Sequence, residues 1–212
     1  MLSASNMPTH DSHNSTPTGS PVLLLPSFTY IDNVHASTAA SLLDFISAAP
    51  TTSTPLHHSL RAPALPSPFA LRPCPHKYLI LLCSQKTRDA RCGQSAPLLQ
   101  REFERHLRPL GLHRDHHDER AGGCGIYFIS HVGGHKFSAN VFVYRRGDAA
   151  GVLGATEGRS GAAEVAQCVW LARVRPEDCE NIVRFTVLQG KVVKPERQLR
   201  GGFDRARQVA SW

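Results

Sequence analysis

Residues 78–93 read YLILLCSQKTRDARCG, and the abrupt change from an apolar half to a polar half decides how the chain folds. Tyr78-Leu79-Ile80-Leu81-Leu82 is an unbroken apolar run of strand length, the pattern of a strand covered on both faces. The polar half leads to Ser95 and Pro97, which open a helix expected over 96–110, with Leu99, Phe103, Leu107 and Leu110 at helical spacing and Gly111 as its stop. Further strands are expected at 126–130, 140–144 and 168–174, with the Gly- and Ala-rich stretch 146–166 as a loop between two of them. Pro176 then starts a second helix, with Glu177 and Asp178 in its first turn, Cys179, Ile182, Val183 and Thr186 along one stripe, and Gly190 at its end.

Strand, helix, three strands and helix in that order fit a thioredoxin-like α/β domain, a mixed sheet flanked by helices, over residues 76–212. The whole chain has 212 residues and a formal charge of +7, enough for one ordinary domain and too little for a multidomain enzyme. No apolar run approaches the roughly 20 residues that cross a bilayer, so no membrane partner is expected. Six cysteines are too sparse for a disulfide scaffold, and the thiols are read as reduced.

Charge divides the chain. Residues 1–60 contain no Lys or Arg, and Ser, Thr and Pro supply 25 of the 60. Such a composition buries too little apolar surface to offset chain entropy, so residues 1–20 are expected to be disordered. Residues 21–49 carry more order: 22–25 with 28–31 suit a short strand pair, and 38–48 suits a helix with Leu42, Leu43 and Ile46 on one face. Seven prolines then fall within 50–75, which reads as a linker or extended crossover. All the basic excess therefore lies in the C-terminal part. Nucleic acid would be one partner for it, but no basic motif interleaved with aromatics supports that.

The chemistry sits in two short segments. Cys83 and Cys92 are separated by eight residues, the first at the end of the buried strand and the second just before a helix. His131-Val-Gly-Gly-His135 follows the next apolar strand. Gly133 and Gly134 disfavour the helix on which a zinc protease would mount its histidines, and no Glu follows His131. A Gly-Gly pair instead lets two imidazoles turn toward a common point from a tight loop. The arrangement resembles that of thioredoxin-like ferredoxins, with their second pair of cysteines, three residues apart, replaced by His131 and His135. Exchanging thiolate for imidazole removes negative charge from a ligand set, which raises a cluster's potential and lets an exposed ring nitrogen take up a proton on reduction.

The segments CSQKTRDARCG, ISHVGGHKFSANVFVY, VWLARVRPEDCENIV and LRGGFDR resemble the fungal sucrase/ferredoxin-like family, in the branch of altered inheritance of mitochondria protein 32 and its relative, the actin patches distal protein. PVLLLPSFTYI, near Pro21, looks like the end of the family's preceding thioredoxin-like half, so residues 21–75 are expected to hold a remnant of that half and a Pro-rich linker, in a chain truncated at its N-terminus. The resemblance implies a [2Fe-2S] cluster on Cys83, Cys92, His131 and His135, an electron-transfer role and, for this branch, a mitochondrial location. No transit peptide is visible, because the first Arg is Arg61, and the alternative is the cytoplasm. Gln85-Lys86 departs from a loop where the family tends toward His and Gly.

Two other readings use the same side chains. One is a zinc-stabilised Cys2His2 structural or interaction domain, against which the eight-residue spacing of Cys83 and Cys92 tells, because structural zinc pairs usually sit 2–4 residues apart. The other is a thiol-disulfide oxidoreductase, against which the absence of Cys-x-x-Cys tells. Cys74, Cys124, Cys168 and Cys179 are expected to be packing thiols, with Cys124 in its glycine-rich setting the first exception to consider. His113-Arg-Asp-His116-His117-Asp118 is expected to be solvated surface. Arg88, Arg91 and Lys136 flank the ligands and suit cluster tuning or docking of an acidic redox partner protein. Finally, Trp212 is expected to be a frayed end or to fold back on the domain; the alternative is that, beside a terminal carboxylate, it resembles the tails read by iron-sulfur assembly machinery on cytosolic clients, a role that conflicts with a mitochondrial location.

Overall fold

The apolar run forms the central strand of the main sheet. In a computed structural model, which describes residues 2–8, 19–56, 65–130, 136–147 and 164–211, Tyr78–Cys83 (β4) is buried at every position. It pairs in parallel with Cys124–Ile129 (β6) on one side and antiparallel with Val141–Arg146 (β7) on the other. Val165–Leu171 (β8) lies antiparallel to β7, so the inner strands run β8-β7-β4-β6. His113–Arg114 (β5) extends the sheet beyond β6, and Leu199–Asp204 (β9) with Val209–Ser211 (β10) extends it beyond β8, giving seven strands among the described residues. The result is a mixed sheet flanked by helices, as the element order implies.

The first long helix differs from expectation at both ends. Ala90–Leu107 (α2) starts six residues before position 96, because Asp89 caps it: the Asp89 carboxylate accepts from the Arg91 N–H at 3.0 Å. Cys92 therefore lies inside the first turn rather than before it, and Pro97 lies inside the helix. The buried stripe is Cys92, Ala96, Leu99, Phe103 and Leu107, while Leu110, beyond the helix end, is half exposed. The second helix starts at Pro176 as expected, with a 3-10 turn Pro176–Asp178, a short α segment Cys179–Asn181 (α3) and a π-helical stretch Ile182–Val187. Cys179, Ile182, Val183 and Thr186 are buried against β4, β7 and α2, and Gly190 follows at φ +71°.

Residues 21–75 form more than a strand pair and a linker. Ser20–Leu24 (β1), Thr29–Val34 (β2) and Ala70–Pro73 (β3) make a three-stranded antiparallel sheet, and Phe28 and Tyr30 share a core with Leu79, Leu81, Phe142 and Phe203 on the face of the main sheet opposite α2. β3 lies in the proline-rich stretch; it is an edge strand, where Pro is tolerated. The expected 38–48 helix is a 3-10 turn Ala39–Leu42 followed by Leu43–Ala48 (α1), and it buries Leu42 and Phe45, leaving Leu43 and Ile46 exposed. Residues 2–8, read as part of a disordered stretch, lie along β6, with Ser130 N–H donating to Ala4 O at 2.8 Å and Phe128 N–H to Asn6 Oδ1 at 2.7 Å. Residues 9–18, half of that stretch, are outside the described residues, as are 148–163 of the expected loop. No helix among the described residues is long and apolar enough to cross a membrane.

Candidate functional site

One end of the main sheet collects the chemistry. Cys83 pairs with Ile129, Leu82 with Val141, Val141 with Leu171, and Leu171 with Leu199, so the ends of β4, β6 and β8 and the starts of β7 and β9 are level. α2 opens at the same end, because only six residues separate Cys83 from its first turn. Gly93 in that turn packs so tightly under Lys86 that an added Cβ would come within 2.8 Å of it.

Cys83 and Cys92 are both buried and their side chains are in contact. The Cys92 thiol is pulled down to about 6: the Cys83 hydrogen bond favours the thiolate most, the Ala139 and Asn140 N–H groups add to it, and burial and the Asp89 charge oppose it. Two successive N–H groups reach one sulfur because Ala139 adopts φ +51°, a left-handed conformation that turns its amide and the next the same way. Position 92, in the first turn of an eighteen-residue helix, also favours negative charge.

Asn140 braces this cradle and was not singled out from sequence. Its carbonyl accepts from Cys83 N–H at 3.1 Å, its Oδ1 accepts from the Trp170 indole at 2.9 Å, and its Nδ2 donates to Phe137 O at 2.8 Å. A polar residue opening an apolar strand was the only available signal. The two cysteines thus form a dry pair with one sulfur predisposed to be a thiolate, which suits thiolate donors to iron or zinc. Both alternatives for the metal remain compatible with that donor chemistry.

His131 and His135 lie outside the described residues. The described chain on either side ends at Ser130, whose neighbour Ile129 pairs with Cys83, and resumes at Lys136, four residues before Asn140. Of the flanking cations, Arg88 and Lys136 are exposed, and Arg91 is turned back on Asp89 in a 3.0 Å ion pair. Trp212 is also outside the described residues. Among the described residues no cluster of three or more His, Cys, Asp or Glu has the spacing to hold a metal ion.

The remaining thiols are packing groups. Cys124 and Cys168 are fully buried and burial pushes both thiols up; Cys74 is pushed up to about 11 by burial. Cys179 donates to Arg175 O at 3.7 Å and burial pushes it up as well.

The histidine-rich run is not simply solvated surface. His116 and His117, with His76, Tyr30, Tyr127, Arg72 and other groups, line a cavity of about 200 Å³ on the β6 side of the small sheet. His116 lies edge-on to Tyr127, with centroids 5.6 Å apart, and its Nε2 is 2.9 Å from Asn6 Nδ2.

The family profile for sucrase/ferredoxin-like proteins matches residues 1–201. The chain is 30% identical over 174 residues to actin patches distal protein 1 of Saccharomyces cerevisiae, covering 82% of this chain and 48% of that protein. Altered inheritance of mitochondria protein 32 is 34% identical over 119 residues in Clavispora lusitaniae, covering 56% of this chain and 33% of that protein. Its Candida glabrata counterpart is 26% identical over 176 residues, covering 82% and 48%. The chain spans about half the length, or less, of these curated relatives. No solved structure matches it. With the profile covering nearly the whole chain, and relatives of both names matching it, this chain belongs to the sucrase/ferredoxin-like family.

Proposed function

We propose that this chain is a [2Fe-2S] electron-transfer protein whose cluster is held by Cys83, Cys92, His131 and His135, in a thioredoxin-like domain. The observation that carries the reading is the Cys83–Cys92 pair: two buried thiols in contact at one end of the sheet, Cys92 drawn toward the thiolate by its hydrogen bond with Cys83 and, less, by the Ala139 and Asn140 N–H groups. The β8-β7-β4-β6 order, with β4 and β6 parallel and β7 antiparallel to both its neighbours, supports the thioredoxin-like reading. Family membership supports a ferredoxin-like redox role.

When bound, the cluster supplies a one-electron couple. The chain's own work is to keep that end of the sheet dry and to hold two sulfurs in place through α2, β4 and Asn140. N–H groups aimed at Cys92 raise a potential by favouring negative charge there. In sequence, His131 and His135 fall between the end of β6, where Ile129 pairs with Cys83, and the start of β7, next to Asn140, whose N–H reaches Cys92. Imidazole donors there would couple the potential to pH.

A thiol-disulfide oxidoreductase is the second reading, favoured by the Cys83–Cys92 contact and the acidity of Cys92. Burial weighs against it, since Cys83 and Cys92 are 1% and 0% exposed and a partner disulfide needs access to an attacking sulfur. A zinc site on the same four side chains is the third. The names of the relatives support a mitochondrial location. On this reading the partners are a redox protein that exchanges the electron and the iron-sulfur machinery that assembles the cluster.

His135→Cys tests the ligand set. The variant should keep a cluster, lower its potential and flatten its pH dependence, because a thiolate adds charge and removes a titratable ring. An unchanged potential and pH slope would remove His135 from the ligand set.

A further inference from the structure

The end of the sheet that carries Cys83 and Cys92 also carries a concentration of exposed positive charge. Lys86, Arg88, Lys136, Arg173 and Arg200 are all exposed there, placed by the level ends of β4 and β8 and starts of β7 and β9. Asp89 is the carboxylate closest in sequence, and Arg91 already holds it at 3.0 Å. Arg175 and Glu177 offset one another at 3.6 Å, and Lys194 is bound to the buried Asp178.

Two of these cations are brought together rather than spread apart. The Arg173 guanidinium lies 3.7 Å and the Arg200 guanidinium 4.3 Å from the centroid of the Phe137 ring, with the Lys136 ammonium at 5.6 Å. Each gains from the ring's negative face, but like charges converging on one ring repel. Among the described residues neither arginine has a carboxylate in ion-pair distance. Arg173 is also fixed in place: it sits at φ +56°, and its N–H donates to Ser138 O at 2.9 Å, tying it to the segment that provides the Cys92 cradle. A charged side chain presented from a left-handed backbone position, stacked on Phe137 and with no carboxylate partner among the described residues, is arranged for an external counter-charge.

We propose that the Arg173, Phe137 and Arg200 stack, with Lys136 beside it, is the platform on which an acidic protein surface docks to exchange electrons at the Cys83–Cys92 end of the sheet. This rests on the redox reading and names the chemistry of its partner. Carboxylates supply the missing counter-charges, and Phe137 holds both guanidinium planes so that little side-chain freedom is lost on docking. Steering by such a patch accelerates association and weakens with salt.

The test uses holoprotein whose cluster is verified by its visible spectrum and a fluorescein-labelled polyglutamate dodecapeptide followed by anisotropy. Arg173→Glu/Arg200→Glu should weaken peptide binding about tenfold at low salt and slow oxidation of the reduced protein by ferricyanide by a similar factor. Arg101→Glu/Arg207→Glu makes the same change in net charge, on α2 and at the opposite end of β9, and should change either by less than about twofold. Equal losses in the two double variants would overturn the proposal, because they would reduce it to net charge. Tighter binding of a thymidine dodecamer than of the peptide, with the same dependence on Arg173 and Arg200, would overturn it in favour of nucleic acid. A colourless preparation would instead refute the redox reading, visibly and before any binding is measured.

Discussion

His76 makes the protein acid-sensitive. The ring is 2% exposed, its Nε2 is 2.9 Å from Tyr127 Oη, and its Nδ1 has no partner among the described residues. Burial, reinforced by the Arg114 and Arg146 charges, pulls it down to about 4 from an ordinary value near 6.5. The unfolded chain therefore takes up a proton below about pH 6.5 that the folded chain refuses until about pH 4. Stability from this residue is full above the upper value and is lost as pH falls through the window. By linkage the loss is about 2 kcal/mol at pH 5 and roughly 3 kcal/mol by the bottom of the window. Urea unfolding at pH 8 and pH 5 of wild type and His76→Gln measures it. The variant starts about 1 kcal/mol less stable at pH 8, from the weakened bond to Tyr127, but should lose about 2 kcal/mol less than wild type between the two pH values. Equal acid losses in the two proteins would refute the assignment of this titration to His76.

Arg205 is buried, donates to Thr54 O at 2.6 Å and Val165 O at 3.1 Å, and pairs with Glu164 at 2.6 Å; Arg205→Met should cost about 3–5 kcal/mol in urea unfolding and expose residues 50–56 to limited proteolysis. Gly202 has φ +145°, and a Cβ there would meet Cys168 O at 2.2 Å, so Gly202→Ala should break the β8–β9 pairing and lower stability by about 2 kcal/mol or more, read by calorimetry. Asn140→Ala removes the hydrogen bonds from the Trp170 indole and to the Phe137 carbonyl; about 1–3 kcal/mol should be lost, with faster loss of visible absorbance on dilution than in a surface control such as Arg101→Ala.

The central strand was legible because a strand buried on both faces has an apolar side chain at each position, and β4 does. The second helix was legible for the same kind of reason, a Pro start, an apolar stripe and a Gly stop. What escaped were elements whose signal is geometric. The start of α2 depends on one Asp89 carboxylate reaching one N–H, while Ser95 and Pro97 offered the stronger textual cue. β9 reads as polar and charged because it buries only Gly201 and Phe203, and Gly202 is required by the closeness of Cys168 rather than by a turn. β3 hides among prolines that an edge strand tolerates. Within the site, the spacing of Cys83 and Cys92 was enough to single them out. Their support by Ala139 and Asn140, fifty residues downstream in sequence, arises only once β7 lies against β4. The same is true of Arg173 and Arg200, which meet over Phe137 from three separate segments.

Iron, zinc and the visible spectrum of the protein purified without air test the central claim most directly. The account predicts a brown protein with two irons per chain, charge-transfer absorption and an electron paramagnetic resonance signal on reduction, all lost in Cys83→Ser/Cys92→Ser. A colourless protein carrying stoichiometric zinc after attempted iron-sulfur reconstitution would contradict it.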